Sequence, residues 1–183
     1  HAQFETIHPF PDGNGRTGRA LIHSLLRAKR LTLTVTVPVS AGLLVDTSAY
    51  FDSLTAYRHG DPSTIVTLIA DASFRAVAHG RMLTTDLTAI RAGWAERITA
   101  RRGAAAHRLA DLLLRQPVVD SPLVQRELGV AATNANAAID HLADKEILTK
   151  VSGRHRNRKW AAPDVLAALD DFAARAGLRS LAT

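Results

Sequence analysis

The stretch His8-Pro9-Phe10-Pro11-Asp12-Gly13-Asn14-Gly15-Arg16-Thr17-Gly18-Arg19 decides most of what this sequence predicts. It brings a histidine, a carboxylate, closely spaced glycines and two arginines into one short segment. These are the groups that a protein needs to bind the phosphates of a nucleotide and to activate a hydroxyl beside them. A Pro-Asp-Gly-Asn-Gly string taken alone is more often an ordinary turn. The prediction of a nucleotide site therefore rests on the whole combination.

The stretch resembles the signature of the Fic family, His-Pro-Phe-x-Asp/Glu-Gly-Asn-Gly-Arg-x-x-Arg. The matching residues are His8, Pro9, Phe10, Asp12, Gly13, Asn14, Gly15, Arg16 and Arg19. In that family the motif forms a loop leading into a helix, and it transfers AMP from ATP to a Ser, Thr or Tyr hydroxyl. The resemblance implies a protein adenylyltransferase with a target protein as its partner. Relatives that transfer UMP or phosphocholine stay open as alternatives.

Each motif residue receives a role from the resemblance and from its own chemistry. His8 is the expected general base, because imidazole titrates near neutral pH. Asp12 is the expected ligand of Mg²⁺, which prefers hard oxygen atoms. The expected phosphate-binding residues are Gly13, Asn14, Gly15, Arg16 and Arg19. We expect positive φ angles at both glycines. Glycine at position 15 favours nucleotidyl transfer, because a kinase relative has lysine there.

Apolar residues at helical spacing predict a mainly α fold for residues 1–102, the part of the chain that resembles a Fic domain. Helices are expected at 17–30 and at about 47–59. Residues from 62 to about 102 form either one long helix or two helices interrupted at His79-Gly80. Residues 31–39 alternate threonine with apolar residues, which fits a strand or an extended connector.

The resemblance implies further helices and a β-hairpin before the motif, whereas this chain begins seven residues before it. The chain is then either a fragment of a longer protein or a degenerate form with a weak or inactive Fic core. Because every fixed motif residue is retained, we favour the fragment. We expect it to be poorly active alone.

The order of helices and strands expected in residues 103–183 predicts a second domain. Helices are expected at 104–115, 121–128 and 133–145, two strands at 147–151 and 159–162, and a last helix at 164–176. This order is typical of a winged helix-turn-helix with a small β-hairpin. Modules of this kind are often attached to Fic domains, which strengthens the assignment.

A local cluster of basic residues lies within the second domain. The formal net charge is +6, and a local excess lies at 145–160, where Lys145, Lys150, Arg154, Arg156, Arg158 and Lys159 face Glu146 alone. Such a patch predicts contact with an anion such as DNA, or else an ordinary solvated loop. The predicted DNA-binding residues are Thr133, Asn134 and Asn136 for base edges, and Arg154, Arg156, Arg158 and Lys159 for phosphates. Winged helices that bind proteins are the alternative.

Composition narrows the remaining classes of function. The chain of 183 residues has no cysteine, so disulfides, thiolate metal sites and cysteine nucleophiles are excluded. It has no secretory signal pattern at its start and no run of about 18 apolar residues. We therefore predict a cytoplasmic protein without a membrane partner. A homodimer stays open.

Overall fold

A computed structural model describes residues 1–32, 39, 43, 46–101, 103–151 and 158–175. These residues form eight helices and three short strands, which confirms the mainly α fold with a small β element. They fall into two compact units: His1–Arg81 together with the chain from Ala173 onward, and Met82–Phe172. The assignment of 1–102 to a Fic-type domain and of 103–183 to a DNA-binding domain stays a prediction.

The helices are α1 Ala2–Ile7, α2 Asn14–Ala28, α3 Thr47–Arg58, α4 Ser63–Arg97, α5 Ala105–Leu113, α6 Ser121–Leu128, α7 Ala132–Asp144 and α8 Pro163–Arg175. The strands are β1 Val118–Val119, β2 Thr149–Lys150 and β3 Trp160–Ala161. Of the two alternatives for residues 62–102, one long helix is right, and it continues through Gly80. The alternating segment 31–39 lies mostly outside the described residues. None of the described helices is both long enough and apolar enough to cross a membrane.

In the first unit, α1 packs against α2 and α3. Its buried apolar side chains form two small clusters: one contains Ala2, Leu54 and Ile65, and the other Ile22, Val39, Leu43 and Ala72. Helix α3 begins where predicted, because the Asp46 carboxylate accepts a hydrogen bond from the Ala49 N–H at 2.9 Å. This is a typical N-cap and fixes the entry of the chain into the helix.

The second unit has the element order of a winged helix-turn-helix: α5, β1, α6, α7, β2 and β3. Its antiparallel sheet has the order β1-β3-β2, with Val118 opposite Ala161 and Lys150 opposite Trp160. The hairpin of β2 and β3 is confirmed. Strand β1 was not predicted from the sequence, and its pairing makes the sheet three-stranded.

The core of the second unit gathers side chains from the helices and from the strand ends. Trp94, Leu109, Leu113, Ile139, Leu142, Ile147 and Val165 are each fully buried. The Trp94 indole N–H donates to the Asp164 carboxylate at 2.8 Å, which satisfies the one polar atom of that side chain. The last part of α4 is thereby bonded to the start of α8.

Candidate functional sites

The motif lies where α1 ends and α2 begins. His8 is the C-cap of α1 in the left-handed conformation, with φ 51° and ψ 56°, and its N–H donates to the Phe4 carbonyl at 2.9 Å. Its side chain is exposed. Gly13 is the N-cap of α2 with φ 83°, which confirms the positive φ expected there. The imidazole of His8 therefore lies at the C-terminal end of α1, and the loop that follows leads directly to the N-terminus of α2.

Asn14 closes this loop from inside. Its side chain is 2% exposed, its amide donates to the Phe10 carbonyl at 2.5 Å, and its Oδ1 accepts from the Phe10 N–H at 3.0 Å. Two hydrogen bonds thus connect the Asn14 side chain with the Phe10 backbone across the loop. Phe10 itself is 47% exposed, with its ring 6.1 Å from that of Phe4. In the structure Asn14 therefore anchors the loop, and its contact with a phosphate stays a prediction.

Asp12 links the turn to the first helical residues. Its Oδ1 accepts from the Gly13 N–H at 2.6 Å, and its Oδ2 is 3.1 Å from Nη2 of Arg16. Both side chains are largely exposed, at 91% for Asp12 and 74% for Arg16. Such an exposed pair is worth little to stability. It presents a carboxylate and a guanidinium side by side at the start of α2.

Gly15 departs from the expectation of positive φ, which is wrong for this residue, because Gly15 is part of the first helical turn. The structure shows a different need for glycine. A Cβ at position 15 would lie 3.2 Å from Nη1 of Arg19, tighter than an ordinary contact. The Arg19 side chain therefore lies over the bare backbone of Gly15, and both arginines of the motif are exposed at this helix end.

A buried polar group beneath the motif was missed in the sequence. Glu5 of α1 is 9% exposed, and its Oε1 lies 3.8 Å from Nδ1 of His1, too far for a hydrogen bond. Nε2 of His1 lies 3.0 Å from the Tyr50 hydroxyl. Burial raises the pKa of Tyr50, Glu5 raises it further, and Arg19 lowers it. These interactions place Glu5 and Arg19 in one electrostatic environment.

The N-terminus of α2 determines what this loop can bind. The first N–H groups of a helix have no partners within the helix, and the helix dipole favours negative charge there. Bare backbone at Gly13 and Gly15 lets an anion approach those groups closely, and two guanidinium groups add charge. No cluster of three or more histidine, aspartate or glutamate side chains suited to a metal occurs in the part of the chain that the structure describes.

The winged-helix unit presents the second candidate site. Thr133, Asn134 and Asn136 are exposed on α7, as base-reading residues must be. Asn136 and Arg158 line a groove of about 430 Å³ together with Asp120, Ser121, Pro122, Asp140 and Trp160. Lys159 is exposed in the same unit. The predicted contacts of Arg154 and Arg156 lie outside the described residues.

Comparison with known proteins gives a match at each site. Residues 1–26 match the model of the Fic/DOC family, and residues 107–162 match that of an HTH DNA-binding domain. Over 26 residues the chain is 65% identical to a probable protein adenylyltransferase of Aquifex aeolicus (strain VF5), a match that covers 14% of this chain and 8% of that protein. The segment that contains the complete motif is thus similar to the Fic/DOC family, and residues 107–162 are similar to a helix-turn-helix DNA-binding domain.

Proposed function

We propose that the loop from His8 to Arg19 transfers AMP from ATP to a Ser, Thr or Tyr hydroxyl of a target protein. The observation that carries this proposal is the junction of two helix ends. Asn14 fixes the loop so that an exposed imidazole and the N-terminus of α2 belong to one short, closed segment. The Aquifex aeolicus relative, named as an adenylyltransferase, supports ATP as the donor.

In the proposed reaction the acceptor oxygen attacks the α-phosphorus of ATP. A bond from that oxygen to phosphorus forms, and the bond from phosphorus to the pyrophosphate oxygen breaks. His8 takes the proton of the hydroxyl, which makes the oxygen a competent nucleophile. Arg16 and Arg19 neutralise charge on the phosphates, and the N–H groups beside Gly13 and Gly15 hold them at the helix end.

Asp12 fits Mg²⁺ that arrives with the nucleotide. Mg²⁺ usually keeps several waters and is bound by one or two carboxylates plus substrate phosphates. The exposed Asp12 carboxylate supplies one such group, and it is shared with the Gly13 N–H and with Arg16 rather than enclosed. When bound, Mg²⁺ would neutralise phosphate charge during the transfer.

The test uses this chain, Mg²⁺ and ATP with heat-treated cellular proteins as acceptors, because heating inactivates kinases that would transfer the γ-phosphate. Label on the α-phosphate should enter protein, whereas label on the γ-phosphate should not. His8→Ala should abolish the labelling. His59→Ala, an exposed histidine whose ring bonds the Thr55 carbonyl, is the matched control and should keep it. Because this chain is expected to be poorly active alone, weak labelling that depends on His8 supports the transferase. Label from UTP or CDP-choline in place of ATP would overturn ATP as the donor, and label that His8→Ala retains would overturn the motif loop as the site of transfer.

DNA binding by the second unit is the other candidate function. Three features support it: the winged-helix order of elements, the exposed polar residues of α7, and the family match at 107–162. We propose that Thr133, Asn134 and Asn136 contact base edges. Arg154, Arg156, Arg158 and Lys159 are the proposed phosphate contacts.

The salt dependence of DNA affinity, measured with two variants, distinguishes this DNA-binding function from the transferase. The affinity for duplex DNA should fall steeply as salt rises, and Arg158→Ala should reduce both the affinity and the salt dependence. His8→Ala should leave DNA affinity unchanged. A homodimer would protect two symmetric half-sites on DNA, whereas a monomer would protect one. We propose the cytoplasm as the compartment of both activities.

A further inference from the structure

The exposed face of α7 has an unusual composition for a helix that enters a DNA groove. The helix sequence Ala-Thr-Asn-Ala-Asn-Ala-Ala-Ile-Asp-His-Leu-Ala-Asp contains no lysine and no arginine. Its buried face consists of Ala135, Ala138, Ile139 and Leu142. Thr133, Asn136, Asp140 and Asp144 are exposed and follow one another at spacings of three and four. The face offered to a ligand is therefore made of a hydroxyl, an amide and carboxylates.

The groove beside α7 adds to this picture. Asn136 and Asp140 are four residues apart, so their side chains are neighbours on one helix face. Both line the groove, and its lining also includes Arg158 and the half-buried Trp160. The carboxylate of Asp120, also in the lining, accepts from the Leu123 N–H at 2.8 Å as the N-cap of α6. Asp140 therefore brings a second, exposed carboxylate into a groove bordered by a cation.

Side chains that accept hydrogen bonds contact different atoms of the base edges than cationic side chains do. Arginine and lysine bind O6 and N7 of guanine, the commonest specific contact. A carboxylate accepts from the N4 amino group of cytosine, and an asparagine amide bonds N6 and N7 of adenine. A carboxylate near phosphates is repelled unless it finds such a donor. Asp140 is thus costly at most sequences and favourable where an amino group faces it.

We propose that α7 reads the exocyclic amino groups of the major groove, with Asp140 accepting from N4 of a cytosine and Asn136 bonding a neighbouring adenine. This inference rests on the proposed DNA-binding function. Arg158 and Lys159 supply positive charge, and α7 supplies the discrimination between bases. A good bidentate contact such as that of Asn136 with adenine changes affinity by roughly five- to 150-fold between right and wrong bases.

The experiment selects sequences bound by the full chain from a pool of random duplexes at moderate salt. We expect one enriched position with cytosine and an adjacent one with adenine. Asp140→Ala should remove the cytosine preference and should keep or increase affinity for other sequences, because a charge repelled by phosphates is lost. Asp144→Ala is the matched control. It removes an exposed carboxylate from the same helix that is outside the groove lining, and should keep the cytosine preference.

The possible results distinguish a failure of this inference from a failure of the proposed DNA-binding function. A selected site without a C·G pair, or a C·G preference unchanged in Asp140→Ala, overturns the inference while DNA binding stands. Salt-dependent binding without any sequence preference does the same. Failure to bind duplex DNA at all, with capture of basic peptides instead, overturns both and makes the groove a protein-binding surface. Circular dichroism of each variant shows that α7 is still folded.

Discussion

Glu5 and Gly18 are packed so closely that a Cβ at position 18 would overlap Oε1 of Glu5. Gly18 is the contact point between α1 and α2, and Glu5 is the buried carboxylate that fills the space left by its missing side chain. The position is variable in the motif pattern, yet here it controls how near the two helices come. His8 is the C-cap of α1 and Gly13 is the N-cap of α2. The packing of the two helices therefore also determines how far apart the two ends of the loop lie.

Gly18→Ala should therefore destabilise the first unit. Overpacking of this kind costs about 1–3 kcal/mol. Gly80→Ala is the matched control, because a Cβ there meets nothing within 4 Å and the residue lies inside α4. Replacing a helical glycine by alanine should stabilise by roughly 0.5–1 kcal/mol. Urea unfolding of both variants should show shifts of opposite sign, and a stabilising Gly18→Ala would contradict the packing.

Tyr50 should report the charges around it. Its pKa lies above 10.0 because of burial and then of Glu5, while Arg19 opposes the shift. Glu5→Gln should lower this pKa, and Arg19→Ala should raise it. Absorbance at 295 nm follows the ionisation, with Tyr57→Phe as the background because the chain has two tyrosines.

The same shift makes a prediction for stability. A group whose pKa is raised by folding stabilises below its unfolded pKa and loses this contribution as pH rises through the folded value. The first unit should therefore lose stability above pH 10, and less so with Glu5→Gln. An identical Tyr50 titration in wild type and Glu5→Gln would show that the two groups do not interact.

Asp61 should titrate at unusually low pH. The Ser63 hydroxyl and then the Ser63 N–H, at 2.9 Å, hydrogen-bond its carboxylate and hold the pKa below the ordinary 3.8. A lowered pKa stabilises above the unfolded pKa, and this contribution is lost as pH falls through the folded value. NMR titration of the Asp61 carboxyl carbon measures it. Ser63→Ala should raise the pKa, and a value at or above 3.8 in the wild type would refute the interaction.

Asn14 should contribute more to the loop than an exposed asparagine does. Asn14→Ala leaves the N–H and the carbonyl of Phe10 without their partner, a loss of about 1–3 kcal/mol. Asn134→Ala, on the exposed face of α7, should change stability by less than about 0.5 kcal/mol. Hydrogen exchange at the Phe10 amide gives a local readout, and protection unchanged in Asn14→Ala would argue against the closure.

Asp12 should separate activity from stability. Its pair with Arg16 is exposed, so Asp12→Asn should cost less than about 1 kcal/mol in unfolding free energy. If Asp12 holds Mg²⁺, the same change should abolish Mg²⁺-dependent transfer of AMP. Thermal unfolding and labelling of the same preparation give both numbers. Full labelling by Asp12→Asn would remove Asp12 from the proposed site.

The local signals in the sequence were read correctly where one residue type dictates one geometry. Gly129 ends α6 with φ 62°, and Asp46 caps α3, each as its chemistry requires. The N-cap of α6 is Asp120, although the neighbouring Ser121 is also a residue type that can cap a helix, and only the folded chain chooses between them. Strand β1 has two residues, too few for an alternating pattern, and it exists through its pairing with β3. Helix α1 has six residues and shows no helical period either.

The sequence names candidate site residues, but it does not show which neighbouring residues support them. The motif names His8, Asp12 and Arg16 by type and spacing. It does not reveal that the amide of Asn14 is buried against Phe10, because a polar residue in a turn is normally expected to be solvated. Glu5 was missed for a related reason. A carboxylate is rarely buried, so nothing in the sequence distinguishes it from a surface residue.

The closure of the loop by Asn14 also has a consequence for the chemical ageing of the protein. Asn14 precedes Gly15, and an asparagine followed by glycine is the dipeptide most prone to lose its amide, since the next backbone nitrogen can attack the side chain. Here the amide is held on Phe10 and the following nitrogen is fixed in the first turn of α2. The folded protein therefore shields its motif from deamidation, and each unfolding exposes the motif to irreversible damage.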